Sequence, residues 1–321
     1  MRKIRVLQII ELVILVGVLI GLVFFFKGIA SGTISFSGGT VQAGIFENTD
    51  DFISTGEGAQ EKREQMEIKG IDEISVEFMN ADIDVEIIEG DEIQVIETTS
   101  RQIAENDFFK MRQIGSQLSI KGPTIKKWLP IDVKSIAHSI YIGIPASYKE
   151  DLYLKTISGY IQLNTPMKLD KLRTEQVSGA LELNELVDTK SLKCKSVSGS
   201  IYIKEALTEK YSLENVSGSI EVEALTGMGN VESVSGNIQV AYKAVEGDVD
   251  LSTVSGQIEV SLDEEVSCEI RGKSVSGKMK GNIAYNYIGK GKKEAQAEVG
   301  NNPEYQIDIE TVSGYISVDR E

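Results

Sequence analysis

A Ser-Gly step flanked by β-branched and aliphatic residues returns eight times along this chain of 321 residues. One copy reads SVSGSI over residues 196–201, and variants such as SVSGNI and TVSGYI follow it. Successive glycines are 20, 20, 19, 18, 20, 21 and 37 residues apart. A period near 20 residues is typical of stacked turns and not of an ordinary globular core. The repeating glycines are Gly159, Gly179, Gly199, Gly218, Gly236, Gly256, Gly277 and Gly314.

The residues around each glycine alternate between apolar and polar types. Positions five before, two before, two after and four after the glycine are mostly aliphatic, and charged residues such as Glu182 and Lys195 lie between them. This period of two is typical of strands, and a short unit can bury its apolar side only against its neighbours. The sequence therefore predicts an all-β fold, a parallel β-solenoid with about 20 residues per turn and strands about 4.8 Å apart. A looser apolar position eight residues after the glycine (Met167, Val187, Leu207) indicates a third side to each turn.

Two columns of the repeat predict the path of the backbone. The column two residues before the glycine is expected inside the core; it contains Ile157, Val177, Val197, Val216, Val234, Val254, Val275 and Val312. The apolar pattern changes parity just before it, which predicts a bend three or four residues before the glycine. Polar side chains at that bend would hydrogen-bond the backbone; they are Thr156, Gln176, Ser196, Asn215, Ser233, Thr253, Ser274 and Thr311. The glycine either points inward where two walls approach closely or forms a corner with positive φ, and the preceding serine points outward or forms a second ladder.

The eight serines are interpreted as structural and not as nucleophiles. His138 is the only histidine, so any Ser-His-Asp chemistry would depend on it. The sequence contains no HExxH, CxxC or P-loop motif, and its outward columns hold no regularly repeated carboxylate pair. We therefore expect no catalytic residue, no metal ligand and no cofactor.

The repeat divides the chain into four segments. Residues 151–321 form the regular β-solenoid, with an insertion at 281–306 inside the 37-residue gap. That insertion carries Lys290, Lys292 and Lys293, the tightest basic cluster after residue 27, and is the candidate binding loop. Residues 67–150, which include one early copy of the template centred on Ala81, are either irregular first turns or N-terminal cap strands. Residues 28–66 are rich in glycine and then in charge, which is typical of a linker or stalk.

The N-terminus predicts a membrane anchor. Basic residues in MRKIR precede the stretch 6–26, which is apolar except for Gln8 and Glu11. About 20 apolar residues span a bilayer as a helix, and the positive flank places residue 1 in the cytoplasm and everything after Lys27 outside. Residues 1–27 are thus read as a cytoplasmic stub and a single transmembrane signal anchor. The alternative is a cleaved signal peptide whose apolar core is 12–26 and whose cleavage site precedes Ser31.

Charge and cysteine content restrict the partners. The chain has 33 basic and 49 acidic residues, a formal net charge of −16, which repels phosphate backbones and makes nucleic acid an unsuitable partner. Cys194 and Cys268 belong to turns four steps apart in the sequence, or about 19 Å at the usual strand spacing. A disulfide needs Cα atoms within about 7 Å, so we expect no bridge between them.

Three parts of the sequence resemble a known family. They are EISVEFMNADIDVEIIEGDEIQVIE (73–97), IYIGIPASYKEDLYLKTISGYIQL (140–163) and the serial VSG-x-I-x-V turns. Together they resemble the bacterial putative-adhesin domain family of unknown function, of the LiaG-like type, over roughly residues 67–321. The resemblance implies a membrane-attached, extracytoplasmic β-solenoid of the cell envelope. It supplies no catalytic residues.

These observations lead to a functional expectation. A solenoid presents long surfaces and acts by extended contact, so the chain is expected to be a non-enzymatic binding or scaffold protein for an envelope protein or glycan. The alternative is a polysaccharide-acting β-helix enzyme with clustered carboxylates. Because the template ends three residues before Glu321, we also expect a bare strand edge at the C-terminal end of the solenoid, unless the insertion at 281–306 folds over it. Such an edge would favour end-to-end self-association.

Overall fold

The computed structural model of this protein describes residues 59–123 and 136–321. Within these residues the fold is all-β, with 21 strands and one short 3-10 helix, Glu105–Asp107. No helix in this part of the chain is long and apolar enough to cross a membrane. The predicted anchor at 1–27 and residues 28–58 of the predicted linker lie outside the described residues, whereas residues 60–66 of that linker belong to strand β1. The strands are β1 (Gln60–Glu67), β2 (Glu73–Asn80), β3 (Asp82–Ile88), β4 (Glu92–Thr99), β5 (Lys110–Ile114), β6 (Gln117–Lys121), β7 (His138–Pro145), β8 (Asp151–Ser158), β9 (Ile161–Leu163), β10 (Met167–Ser178), β11 (Leu181–Ser198), β12 (Ile201–Ser217), β13 (Ile220–Ser235), β14 (Ile238–Ser255), β15 (Ile258–Leu262), β16 (Cys268–Ser274), β17 (Met279–Lys280), β18 (Asn286–Tyr287), β19 (Glu294–Val299), β20 (Gln306–Ser313) and β21 (Ile316–Arg320).

The strands form a mostly parallel stack, as the repeat predicts. The long strands β11 to β14 bend around the turn, so each contributes to two ladders. We call the ladder before the Ser-Gly steps the upstream sheet; its spatial order is β5-β6-β2-β8-β10-β11-β12-β13-β14-β20-β16-β19-β18. We call the ladder after them the downstream sheet; its order is β1-β4-β7-β3-β9-β11-β12-β13-β14-β15-β21-β17.

The bend between the two sheets lies at the Ser-Gly step itself, which corrects the predicted position. The polar column three before the glycine is buried: Ser196 is 4 % exposed and Thr253 is also 4 % exposed. The valine column two before the glycine is only half-buried and faces outward, and Val275 at the end of the stack is 56 % exposed. The chain turns about three residues later than the parity argument assumed, because the buried row extends as far as the polar column. The serines of the step point outward, and all but Ser178 are exposed.

The corner glycines stack directly on one another. A Cβ added to Gly199 would lie 1.6 Å from the carbonyl oxygen of Gly179, and one added to Gly277 would lie 1.5 Å from that of Gly314. Neighbouring layers therefore approach too closely to leave room for a side chain, which is the first of the two reasons predicted for glycine. Gly159, Gly179, Gly218 and Gly314 also have positive φ. We call this column the glycine ladder; its spatial order is Ala81, Gly159, Gly179, Gly199, Gly218, Gly236, Gly256, Gly314 and Gly277.

Most side chains of the buried polar column donate to carbonyl groups of the glycine ladder, although the Ser233 hydroxyl has no hydrogen-bond partner among the described residues. The Asn215 amide donates to Gly199 O at 2.7 Å, and the Ser274 hydroxyl donates to Gly314 O at 2.9 Å. Thr253 donates in the same way to Gly236 O at 3.3 Å. Backbone oxygens at a buried corner need such donors. The predicted role of this column, hydrogen bonding at a corner, is therefore confirmed.

A third side to the turn is present, with one change of residue. Met167 and Val187 are paired and buried, but the next residue in this row is Ala206 and not Leu207. Leu207 is 45 % exposed. The register shifts between Leu183 and Leu186 in this turn, which moves the inward position by one residue.

The N-terminal end of the stack does not follow the order of the sequence. The layer of Ala81, built from β2 and β3, packs directly on the layer of Gly159, although 78 residues separate these two positions. Strands β6 and β7 form the layer outside it. Antiparallel β5 closes the upstream sheet, and antiparallel β4 and β1 close the downstream sheet. Segment 67–150 thus contains both a template turn and cap strands.

The C-terminal end shows the same arrangement and overturns the predicted bare edge. The last template turn, β20 and β21, is inserted between the layers of Gly256 and Gly277. The insertion at 281–306 folds into β18 and β19, which close the upstream sheet in antiparallel pairing. Beyond β17, the Asn282 side chain pairs with both backbone groups of Arg320, at 2.8 and 2.9 Å. The C-terminal strand is therefore covered, because a later turn and a side-chain amide occupy its edge.

Two buried features complete the interior. Cys194 and Cys268 are both free and fully buried, and the inserted layer separates them by five layers instead of the predicted four. Tyr211 and Tyr242 share a hydrogen bond of 2.9 Å between their hydroxyl groups inside the core. Burial explains why the pKa of the Cys194 thiol rises to about 12.

Candidate functional site

The candidate binding loop lies at the C-terminal end of the stack. Lys290, Lys292 and Lys293 occupy the tip of the β18–β19 hairpin and all three are exposed. Gly289 and Gly291 have φ of 77° and 87°, which allows the tight reversal at this tip. The hairpin therefore presents the predicted lysines together on one surface.

Hydrophobic side chains accompany these lysines, which the sequence interpretation missed. Tyr287 is 38 % exposed, Ile288 is 43 % exposed and Val275, at the adjacent corner, is 56 % exposed. These are three of the five large hydrophobic residues exposed in the part of the chain that the structure describes. We call the surface formed by Val275, Tyr287, Ile288, Lys290, Lys292 and Lys293 the cap patch. These residues are visible in the sequence NYIGKGKK, but an adjacent tyrosine and isoleucine are equally typical of a buried strand.

Contacts within the cap patch hold it in shape. The Lys292 Nζ lies 4.9 Å from the ring centroid of Tyr287, and the rings of Tyr285 and Tyr287 lie 5.7 Å apart. The Lys293 Nζ donates to Val275 O at 2.6 Å, which ties the hairpin to the corner. Lys290 and Lys292 remain on the surface, so the patch combines positive charge with exposed apolar area. Exposed apolar area rimmed by polar residues is a mark of interaction surfaces.

The only histidine has a structural partner. His138 Nδ1 lies 2.5 Å from Glu97 Oε1, and Glu97 is fully buried. The second carboxylate oxygen of Glu97 accepts the backbone N–H of Phe109 at 2.6 Å. This pair fastens the N-terminal cap strands. Among the described residues, the imidazole of His138 is held by Glu97 and no hydrogen bond joins it to a serine of the repeat.

A carboxylate cluster occurs on the downstream sheet near its N-terminal end. Asp84 is 8 % exposed and accepts a hydrogen bond from the Asn164 amide at 2.8 Å. Burial, together with repulsion from Glu86, raises the pKa of Asp84 to about 6. The Tyr141 hydroxyl donates to Glu86 at 3.2 Å, and burial with the same repulsion raises the pKa of Tyr141 to about 12. Among the described residues, no group of three or more His, Cys, Asp or Glu side chains is arranged to hold a metal ion.

A depression of about 260 Å³ lies on the third side of the stack. Its rim carries both signs of charge: Lys168 pairs with Asp188 at 2.7 Å, and Lys190 pairs with Asp170 at 2.6 Å. The exposed Leu207 supplies part of its apolar wall. Within each pair the lysine and the aspartate neutralise each other, so the depression offers little free charge to a ligand. The cap patch is therefore the stronger candidate for a binding site.

Comparison with known proteins identifies the architecture. The sequence pattern of the family Toastrack DUF4097 matches residues 71–319, which is more than half of the chain. None of the curated proteins matches the sequence.

Three solved structures resemble the fold. A putative adhesin from Parabacteroides merdae is similar at 14 % identity and a TM-score of 0.53, over 83 % of this chain and 98 % of that chain. A putative lipid binding protein from Parabacteroides distasonis is similar at 19 % identity and a TM-score of 0.50, over 80 % and 96 %. A putative adhesin from the same organism has 16 % identity and a TM-score of 0.48, over 82 % and 98 %. The first two likenesses show a shared fold, and at identities this low they show nothing more specific.

Proposed function

This chain belongs to the Toastrack DUF4097 family, and we propose that it acts as a membrane-anchored, extracytoplasmic binding or scaffold protein of the cell envelope. The proposal treats the stack as a rigid, non-enzymatic support. The cap patch is the contact surface for an envelope protein or glycan. Residues 1–27 are the anchor.

The observation that carries this proposal is the position of the cap patch. The described chain begins at β1, on the N-terminal end, and the cap patch lies on the opposite end of the stack. About a dozen layers at about 4.8 Å separate the two ends, or roughly 55 Å. A chain anchored before β1 would therefore present the lysines and Tyr287 at its far end. The fold supports this use because each layer is fixed by backbone pairing to its neighbours.

Site-directed photo-crosslinking tests the proposal in native membranes. A photo-reactive residue in place of Tyr287 should capture a defined envelope component, and the variant Lys290→Glu with Lys292→Glu should lose that product. A probe in place of Tyr202, which is half-buried and faces outward on the downstream sheet in the middle of the stack, serves as the control position. Equal capture from both positions, or capture that survives the lysine reversals, would contradict a role for the cap patch.

Anchoring has a separate test. Alkaline carbonate extraction should leave the full-length chain in the membrane pellet, and deletion of residues 1–27 should release it. Protease added to intact cells with the wall removed should cut the described domain. Protection of that domain would contradict an extracytoplasmic location.

A second candidate function rests on Asp84 and Glu86. A buried acid with a raised pKa beside a second carboxylate is the arrangement by which glycoside hydrolases separate a general acid from a base or nucleophile. The variants Asp84→Asn and Glu86→Gln, assayed against cell-wall polysaccharide for release of reducing ends, decide it. Hydrolysis by the unsubstituted chain that both variants abolish would favour the enzyme; no hydrolysis by any form leaves the binding proposal.

A further inference from the structure

The outer surface of the upstream sheet is divided into two halves of opposite charge. Residues eight, six and four before each corner glycine point outward along this sheet, and the residues between them point into the core. Six strands at the N-terminal side, β5, β6, β2, β8, β10 and β11, form what we call the basic half. Five strands at the C-terminal side, β13, β14, β20, β16 and β19, form the acidic half. Strand β12 lies between them.

The basic half has eight basic and four acidic outward residues, a net charge of +4, although the whole chain carries −16. Its basic residues are Lys110, Arg112, Lys121, Lys155, Lys171, Arg173, Lys193 and Lys195, and its acidic residues are Glu73, Glu77, Asp151 and Glu175. The acidic half has eight acidic and two basic outward residues, a net charge of −6. They are Glu232, Asp248, Asp250, Glu269, Glu294, Glu298, Asp308 and Glu310, with Arg271 and Lys273.

Several charges near the middle of this surface lack an ion-pair partner within the described chain, although Asp248 and Asp308 each accept a hydrogen bond from Gln306. In the described residues, Lys193 and Lys210 form no ion pair, and neither do Asp248, Asp250 and Asp308. Burial and nearby carboxylates raise the pKa of Asp250, in a cluster where strands β14 and β20 place it beside Asp308. Burial raises the pKa of Asp308 as well. A cationic surface placed over these carboxylates would relieve their mutual repulsion.

We propose that two copies of this chain pair face to face through the upstream sheet, in antiparallel orientation, so that the basic half of each covers the acidic half of the other. This goes beyond the proposed binding function and does not depend on the cap patch. A second copy is the partner that the charges fit, because one surface carries both signs in separate halves. A wholly basic or wholly acidic partner would match one half and repel the other. A two-fold interface between identical chains is also the commonest mode of oligomer formation.

The register follows from the spacing of the strands. A two-fold axis that runs along β13 preserves each outward column and reverses the order of the layers. It places Lys210 opposite Asp248, and it places β11 opposite β20. Opposite charges then meet in the pairs Lys193–Asp308, Lys195–Glu310, Lys171–Glu269, Glu175–Lys273 and Lys155–Glu294, each formed twice. Like charges meet at Arg173–Arg271, at Asp151–Glu298 and where Glu232 faces its own copy. The remaining residues on the axis are the uncharged Met228 and Asn230.

The surface is large enough for a stable dimer. Eleven of the thirteen strands overlap about this axis; at about 4.8 Å each, with outward columns that span about 17 Å, they give on the order of 900 Å² per copy. Specific interfaces bury about 800 Å² per partner. The antiparallel pair would leave the cap patches at opposite ends of the dimer, where both remain accessible.

Charge reversal on the full-length chain in detergent, measured by sedimentation velocity, tests the proposal. The unsubstituted chain should be a dimer. The variant Lys193→Glu with Lys210→Glu should be monomeric, and so should the variant Asp248→Lys with Asp308→Lys, each at least tenfold weaker in self-association. An equimolar mixture of the two variants should restore a dimer, because every reversed residue then meets its opposite.

Controls separate charge pairing from folding defects and from the proposed function. The variant Lys204→Glu with Lys243→Glu makes the same charge change on the downstream sheet and should remain a dimer. Thermal unfolding of every variant should match that of the unsubstituted chain within a few degrees. The cap-patch variant Lys290→Glu with Lys292→Glu should also remain a dimer. A monomeric unsubstituted chain, reversal variants that still dimerise, or a mixture that stays monomeric would each overturn the proposal.

A crosslink checks the register. Cysteine in place of Asn230 lies on the proposed axis, so a bis-maleimide with a spacer of about 10 Å, the usual separation of packed sheets, should join two copies. Cys194 and Cys268 are fully buried and do not compete. Gln239 lies in the next strand, β14, where that strand belongs to the downstream sheet. Cysteine in place of Gln239 should give no crosslinked dimer. Efficient crosslinking at Gln239 and none at Asn230 would contradict the antiparallel face-to-face arrangement.

Discussion

The middle of the stack and its two ends follow different rules of assembly. From the layer of Gly159 to that of Gly256, each turn packs on the turn that precedes it in sequence, and every pairing is parallel. At both ends, the outermost template turn in the sequence lies inside the stack, covered by other strands of the chain. The layer of Ala81 is covered by β6 and β7, and the layer of Gly314 is covered by β16 and β17.

The difference has a physical reason. A parallel solenoid exposes a strand edge at each end, and an exposed edge pairs readily with other chains. In the middle, the next turn of the same chain covers the edge at once. At the ends, antiparallel strands, charged edge residues such as those of β1, and the Asn282 side chain take over this role. The insertion at 281–306 is therefore the cap of the stack as well as the carrier of the cap patch.

Truncation should give the largest effect, because it tests whether the last turn is interior. Removal of residues 306–321 would delete four fully buried aliphatic residues, Ile307, Ile309, Ile316 and Val318. At about 1.5–3 kcal/mol each, they contribute on the order of 10 kcal/mol, which is comparable to the whole stability of a domain. We expect the truncated chain to lose its cooperative unfolding transition and to become sensitive to protease over residues 258–299. A truncated chain that unfolds cooperatively near the original temperature would show that this turn is terminal.

A methyl group on the glycine ladder should give the next largest effect. Gly199→Ala places a Cβ 1.6 Å from Gly179 O, so the two layers must separate. We expect a loss of about 3 kcal/mol or more in the free energy of unfolding, measured by denaturant titration. At the N-terminal end, the ladder begins with Ala81, whose side chain is already accommodated. Ala81→Gly should therefore reduce stability by only about 1 kcal/mol.

Gly90→Ala provides the matched control for backbone strain. Gly90 has φ of 103° but no atom within 4 Å of its added Cβ. This substitution should reduce stability by about 1 kcal/mol through strain alone. If Gly199→Ala were no worse than Gly90→Ala, the close approach of the layers would not be the reason for the ladder.

The repeat predicted the middle of the stack well because its information is local. The columns before and after each glycine determine which residues face the core, and Ile203 and Leu213 are buried as expected. The valine column two before the glycine was misplaced, since alternation fails at a sharp corner. There the valines face outward and are half-buried, apart from Val275, which is exposed.

The order of layers at the ends could not be read from the repeat. Each template turn specifies its own conformation but not which turn it packs against, so Gly314 and Gly277 exchange places without a change of motif. The candidate lysines were found from charge alone. The exposed Tyr287 and Ile288 were missed, because their exposure depends on the hairpin that folds over the end.

A pH-dependent stability change should distinguish the N-terminal end from the middle. Asp84 and Glu221 occupy the same column, three residues after the corner, but Asp84 is buried and Glu221 is exposed. Because the pKa of Asp84 is raised from 3.8 to about 6 in the folded state, the unfolded state ionises first as pH rises. Asp84 therefore removes stability progressively between about pH 4 and 6, and the full loss remains above pH 6.

The variant Asp84→Asn keeps the acceptor for Asn164 and removes the charge. It should raise the free energy of unfolding by about 1–3 kcal/mol at pH 7.5 and by little at pH 4. Glu221→Gln should change stability by less than about 0.5 kcal/mol at either pH. An Asp84→Asn difference that is the same at pH 4 and pH 7.5 would show that ionisation of Asp84 is not responsible.

The smallest expected effect on stability lies at the C-terminal edge, where the consequence is aggregation. Asn282 and Asn184 share the column five residues after the corner glycine; Asn282 pairs with the backbone of Arg320, and Asn184 donates to the Asn164 side chain at 2.8 Å. Either change to alanine should reduce the free energy of unfolding by about 0.5–1 kcal/mol. Only Asn282→Ala opens a strand edge, so only this variant should form larger species as concentration rises, measured by static light scattering. Equal scattering from both variants would mean that the hairpin of β18 and β19, and not the Asn282 amide, protects this end of the stack.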